Sequence, residues 1–138
     1  MTVLNPAARQ ALTEGHLAHL VTVNPDGSPQ VTIVWIGLDG DELVTAHLGA
    51  HRKVRNVEQD PRVVVSLETG GREPSGLDRY LVVYGEARVQ PGGAPELLQR
   101  LAHTYLGPDV RFPPMADPPP GFVLRITPNR VGGIGPWT

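Results

Sequence analysis

The chain runs through short apolar, β-branched stretches, each closed by a turn signal. Residues 17–23 read as a first strand, and Asn24-Pro25-Asp26-Gly27 behind them are turn formers. Residues 30–36 complete a hairpin, Asp39-Gly40-Asp41 marks the next turn, and 42–47 form a third strand. The run Val63-Val64-Val65 places a fourth strand at 62–67, followed by a polar, glycine-rich loop at 69–76. Residues 78–89 form a long strand, with Gly85 as a bulge or a point of close backbone approach. Strands at 122–126 and 130–134 close the chain. A helical period shows at 6–15, with Ala7, Ala8, Ala11 and Leu12 on one stripe and Gly15 as the stop. It shows again at 94–106, through Leu97, Leu98, Leu101, Ala102 and Tyr105. Six of the 15 prolines fall within 108–120, which predicts an extended loop or lid.

Six or so strands with two or three helices that do not alternate with them predict a small antiparallel barrel. The fold class is mainly β, a β-barrel with inserted helices, and not a doubly wound sheet. At 138 residues the chain is expected to be one domain, 1–138. No internal repeat is visible.

One element breaks the usual rules. Residues 50–62 predict a short helix with Val54 and Val57 facing inward. His51, Arg52, Lys53 and Arg55 crowd its first turn, while Glu58 and Asp60 sit at its end. The helix macrodipole favours the reverse order, at about 0.3–1 kcal/mol per charge. No Ser, Thr, Asp or Asn precedes the helix to cap its free N–H groups. An external anion such as phosphate supplies both the cap and the countercharge. Arg52, Lys53 and Arg55 are therefore candidate ligands for a phosphorylated cofactor, beside the bland alternative of a solvated charged face.

Composition narrows the rest. The formal net charge is -2, so there is no general basic field for nucleic acid, and residues 51–55 hold no aromatic interleaving. The chain has no cysteine, which excludes disulfides and thiolate metal sites and suits a reducing, cytoplasmic setting. No apolar run reaches the ~18 residues of a membrane span, and no secretory leader is apparent, so no membrane partner is expected. His16, His19, His47, His51 and His103 lack ligand spacing, so no metal site is expected. Neither a GxGxxG after a strand nor a Walker A motif is present, and no catalytic triad or carboxylate dyad is apparent. Tyr80 and Tyr84 share one strand face and read as core or interface, and Asp78 with Arg79 reads as a surface pair.

The order of parts resembles the split β-barrel flavoproteins typified by pyridoxamine 5′-phosphate oxidase, the FMN-binding split barrel. Within that superfamily it is most similar to the flavin/deazaflavin oxidoreductases of group B, many of which use coenzyme F420. Four motifs carry the resemblance. They are Ala18-His19-Leu20-Val21-Thr22-Val23 with Asp26-Gly27-Ser28-Pro29-Gln30-Val31, then Val34-Trp35, then Lys53-Val54-Arg55-Asn56-Val57-Glu58-Gln59-Asp60-Pro61-Arg62, and Tyr84-Gly85-Glu86-Ala87. The resemblance implies that Lys53 binds the cofactor phosphate. Arg52, His51 and Arg55 stand at neighbouring positions, and Gln30, Thr32, Val34 and Trp35 belong to the strand alongside the ring. His51 departs from the arginine or serine common there. His47, at a strand end next to the helix, is a further candidate contact, beside the alternative of a structural histidine.

The resemblance further implies a homodimer with shared cofactor sites. The glycine-rich tail ending in Trp137 approaches the cofactor in similar proteins, so Trp137 either stacks on the ring or seals a core edge. The expected function is hydride transfer from reduced F420 to a small organic acceptor, a chemistry that asks the protein mainly for binding and orientation. FMN is the alternative cofactor. A flavin-, F420- or haem-binding protein without turnover is the alternative function. The substrate pocket is expected between 69–76, 108–120 and the tail, with Phe112 and Met115 as apolar lining.

Overall fold

The computed structural model describes residues 3–138. Helix α1 spans Pro6–Ala11, with Pro6 preset for the first turn and the Asn5 side chain accepting from the Ala8 N–H at 2.8 Å. Strands β1 (Ala18–Val23) and β2 (Pro29–Val34) follow, then β3 (Gly37–Asp39) and β4 (Glu42–His47). Helix α2 is Arg52–Gln59, β5 is Arg62–Arg72 and β6 is Asp78–Pro91. Helix α3 (Ala94–Tyr105) and the last strand β7 (Phe122–Ile134) complete the chain.

All seven strands join one sheet in the order β2-β1-β5-β6-β7-β4-β3. Every pairing is antiparallel. The two edge strands are β2 and β3, and only Trp35 and Ile36 separate them in the chain. The chain thus passes from one edge of the sheet to the other through these two residues, and β2 pairs with neither β3 nor β4. Alternation places the buried side chains inside: Leu20 on β1, Val65 and Leu67 on β5, Leu81 and Val83 on β6, Leu124 and Ile126 on β7. Val54 and Val57 of α2 and Leu4 and Leu12 around α1 close the ends of this core.

The hairpin at residues 24–28 forms as the turn residues predict. The Asn24 N–H donates to the Ser28 carbonyl at 2.8 Å, and Gly27 takes φ +85°. Gly85 stands opposite a bulge at Asn129 of β7 and is a point of close approach. The β6–β7 register shifts between Tyr84 and Gly85, and a Cβ at Gly85 would meet the Thr127 carbonyl.

Three expectations need correction. Thr69 to Arg72 continue β5 and do not form a loop, because glycines in open φ space let the strand bulge between Glu68 and Arg72 and still pair. The two predicted closing strands are one strand, β7, since a bulge at Asn129 lets the ladder resume at Arg130 just past Pro128, which has no N–H to give it. Asp78 and Arg79 do not pair with each other, because neighbours on a strand point to opposite faces. Asp78 accepts from Arg72 at 3.0 Å, and Arg79 lies 3.4 Å from Glu73.

Candidate functional site

Helix α2 starts without a cap. His51 precedes it in extended backbone and makes no side-chain capping bond, and no acidic residue stands in the first turn. Arg52 and Arg55 are exposed, while Lys53 is half-buried. Among the described residues, none of the three forms an ion pair with a carboxylate. Arg52 acts only at longer range on Asp26, whose carboxyl sits below its usual range chiefly because Ser28 hydrogen-bonds it. Burial pushes the Lys53 ammonium below the usual lysine range. Among the described residues its ammonium hydrogen-bonds only the Thr32 hydroxyl, at 3.4 Å, which ties the helix start to β2.

A second tie joins α2 to β1 and to the turn that follows it. The Asn56 side chain is buried (2% exposed), and its Nδ2 donates to Asn24 Oδ1 at 2.9 Å and Thr22 Oγ1 at 3.0 Å. The Thr22 hydroxyl in turn donates to Gln30 Oε1 at 3.1 Å. Gln30, expected along the cofactor ring, therefore commits its side-chain oxygen to this network. Asn56 was not singled out in sequence. Its polar type on the inward, valine-bearing face of the helix was the available signal.

Val34, Trp35, His47 and Lys53 converge on one open pocket of about 240 Å³ between β2, β4, α2 and α3, which Leu98 and Phe112 also line. His47 is buried, and its Nε2 lies 2.8 Å from the Thr45 hydroxyl. Burial first, and then the charges of Lys53 and His51, push its pKa down to about 3, so it is neutral at physiological pH. Trp35 stacks on Tyr105 at 5.2 Å and 12° and meets Phe112 at 5.1 Å. The Tyr105 hydroxyl donates to the His16 carbonyl at 2.6 Å and accepts from the Ile36 N–H at 2.9 Å. Tyr105 and Leu98 were read in sequence only as a helix stripe, because nothing local distinguishes a stripe residue that reaches a pocket.

Other expected contributors lie elsewhere. Trp137 is 6% exposed, and its indole N–H donates to the Tyr80 carbonyl at 2.9 Å. The ring lies against Gly135, where any Cβ would collide with it. Of the two readings for Trp137, its own chain gives it the core edge. The expected pocket between 69–76, 108–120 and the tail forms only in part within one chain: Thr69 and Gly70 share a pocket of about 220 Å³ with Pro136 and Trp137, without the 108–120 segment. Gly70 and Gly71 border a cavity of about 560 Å³ with His19 and Arg79, whereas Phe112 borders the 240 Å³ pocket and Met115 is exposed. Among the described residues no cluster of three or more histidines and carboxylates is placed to hold a metal ion, and no helix is long and apolar enough to cross a membrane.

Comparison with known proteins gives this geometry its context. The chain resembles an F420 reductase of known structure at 30% identity and a TM-score of 0.72, covering 90% of this chain and 94% of that one. It resembles the conserved hypothetical protein Rv2991 from Mycobacterium tuberculosis at 23% identity and a TM-score of 0.70, over 99% of this chain and 86% of that one, a likeness of fold. The protein Atu2129 of unknown function from Agrobacterium tumefaciens is similar at 25% identity and a TM-score of 0.70, over 96% of this chain and 56% of that one. No curated protein matches. The family model of pyridoxamine 5′-phosphate oxidase matches residues 4–135, and the chain belongs to that family.

Proposed function

We propose that this protein is an oxidoreductase that uses coenzyme F420, passing a hydride from the reduced cofactor to a small organic acceptor. The observation that carries the reading is the start of α2, where Arg52, Lys53 and Arg55 surround an uncapped helix end with no carboxylate partner among the described residues. These residues fit a phosphorylated ring cofactor. The helix N–H groups and the cations meet a phosphate, and Lys53 stands where that anion-binding end adjoins the apolar pocket. The likeness to an F420 reductase favours the deazaflavin over FMN.

In this reading Arg52, Lys53 and Arg55 bind the phosphate. Thr32 on β2, and Asn56 through Thr22 on β1, fix where those cations stand. Trp35, Val34 and Leu98 give the reacting end an apolar wall. Bound reduced F420 would supply the hydride, so the chain's own contribution is position and an apolar wall.

We take the working unit to be a homodimer. The sheet face away from the core carries Val31 (57% exposed), Ile33 (60%) and Tyr80 (41%), with Val21, Val64 and Tyr84 half-buried beside them. A contiguous apolar face on a small chain marks an association surface.

Titration of the purified protein with F420 and, in parallel, FMN tests the reading. Tight F420 binding that Lys53→Ala weakens supports it. Preference for FMN moves the protein to flavin chemistry. Bound reduced F420 that no acceptor oxidises leaves a carrier without turnover, and binding of neither cofactor removes the enzyme reading.

A further inference from the structure

The proline-rich strap after α3 is held far more loosely than the sheet beside it. Six prolines fall within residues 108–120, and none has an N–H to give. Among the described residues, the backbone of 111–119 makes one hydrogen bond, from the Phe112 N–H to Gln99 Oε1 at 3.0 Å. Gln99 Nε2 donates to the Val110 carbonyl at 2.9 Å. One α3 side chain therefore pins the strap twice, and the two backbone partners fix which way its amide points. Gln99 Nε2 also lies 2.9 Å from His103 Nε2, one turn along the same helix.

The two roots of the strap differ. Gly121 is wedged, since a Cβ there would meet the His47 carbonyl and the Ala94 side chain. Its neighbourhood is tied to the start of α3, where the Ala94 N–H donates to the Pro120 carbonyl at 3.0 Å. Gly107 is loose. Its φ is +138°, and a Cβ there would touch only the Val110 side chain. Between the roots only a small foot is packed. Phe112 is half-buried and Pro113 buried, while Pro114 to Asp117 are exposed.

That foot stands in the cofactor cleft. Phe112 meets Trp35 at 5.1 Å, and Tyr105 stacks on the same indole at 5.2 Å. Rings in contact lie roughly 4.5–7 Å apart, so no third ring fits between Trp35 and Phe112. A cofactor ring that is to lie against Trp35 on this side has to move Phe112 first.

We infer that residues 108–120 are an autoinhibitory lid on the cofactor cleft, hinged at Gly107, with Phe112 as its plug and Gln99 as its latch. The ring and Phe112 compete for Trp35, so the lid is shut in the free protein and swung open in the loaded one. The identity of the ring rests on the proposed function, and the motion rests on the strap's own contacts. Prolines leave the strap few φ choices, so it moves as a stiff piece, and its few holding points make opening far easier than unfolding.

A shut lid lowers apparent affinity by the fraction of molecules that are open, so loosening the latch should tighten binding. In a titration of the full-length protein with F420, Gln99→Ala is expected to lower the Kd about tenfold, the equivalent of one or two net hydrogen bonds. Phe112→Leu, which keeps apolar bulk and folding, is expected to lower it about threefold. General loss of structure would raise the Kd in both. Met115→Ala, exposed on the same strap, is expected to leave it unchanged.

Limited trypsin cleavage after the exposed Arg111 reads the lid without any ligand. Gln99→Ala is expected to speed that cut about tenfold and to leave the other cuts as they are. F420 is expected to speed it in the wild type, where a ligand under a fixed wall would protect. A Gln99→Ala protein that binds F420 no more tightly than the wild type, or a cut that Gln99→Ala does not speed, overturns the inference and leaves the cofactor reading standing. A latch-dependent cut in a protein that ignores F420 supports the lid and removes the cofactor reading instead.

Discussion

Two groups of basic residues in this molecule have opposite fates. Across β4, β6 and β7, the Arg88 guanidinium meets both oxygens of Glu42, while Arg125 reaches Asp39 at 3.0 Å, Glu42 at 3.3 Å and Gln90 at 2.7 Å. Arg88 foremost, with Arg125, holds the Glu42 carboxyl below its usual range. At the start of α2, Arg52, Lys53 and Arg55 meet no carboxylate at ion-pair distance among the described residues, and Lys53 reaches only a hydroxyl at its limit. The first group is electrostatically closed and has nothing left for a ligand. The second opposes its own helix dipole and lowers the stability of the free protein, which is the arrangement expected where binding energy is supplied from outside. Cations are common on surfaces, and what separates a site from a seam is whether the chain neutralises them itself.

The largest expected effect separates the groups directly. Lys53→Ala is expected to weaken F420 binding about tenfold to hundredfold, the range for one charge-assisted hydrogen bond, whereas Arg125→Ala leaves it unchanged. Calorimetric titration reads both, and equal losses would erase the distinction.

The open site also has an acid limit. The folded-state pKa of His47 lies at about 3, well below the ordinary 6.5. Below pH 6.5 the unfolded chain binds a proton that the folded chain refuses, so this stability is complete above that pH and is lost on acidification toward pH 3. The loss is about 1.4 kcal/mol per pH unit, or roughly 2 kcal/mol by pH 5. Melting temperatures between pH 7 and 5 should show it, and His47→Gln should flatten the curve. A wild-type curve already flat there would contradict the burial argument.

The closed seam is expected to matter for stability alone. Arg125→Met should lower the urea midpoint by the equivalent of about 1 kcal/mol, since its side chain is 22% exposed and holds three partners. Arg52→Met, on the open site, should not lower it. The smallest effect runs the other way. His51→Asp gives α2 a capping oxygen and a favourable charge, and should stabilise the free protein by about 0.5–1 kcal/mol while weakening F420 binding. A variant that gained stability and kept its affinity would show that the bare helix end does not serve the ligand.

Much of the site was legible because it is written in local rules. The missing cap and reversed charges of α2 follow from residue order alone, and so do the turn at residues 24–28 and the inward valines of the helix. Asn56 was overlooked because its partners, Thr22, Asn24 and Gln30, lie more than 25 residues away in the chain. Strand β3 escaped because three residues carry no readable alternation. Residues 69–72 were misplaced, while 73–76 form the expected turn, because glycine and polar side chains describe a loop and the end of an exposed strand equally well.

The sequence by itself determined that this is a mainly β chain of antiparallel hairpins with one electrostatically strained helix, since turn chemistry, period and dipole act over a few residues. Only the tertiary structure decided where that helix points. Pairing of β4 with β7 and of β1 with β5 carries Lys53, His47, Trp35 and Phe112 from distant parts of the chain to one pocket, and it sends Trp137 into the core. Those choices depend on which buried faces fit together, and packing complementarity between remote segments leaves no mark in a local pattern.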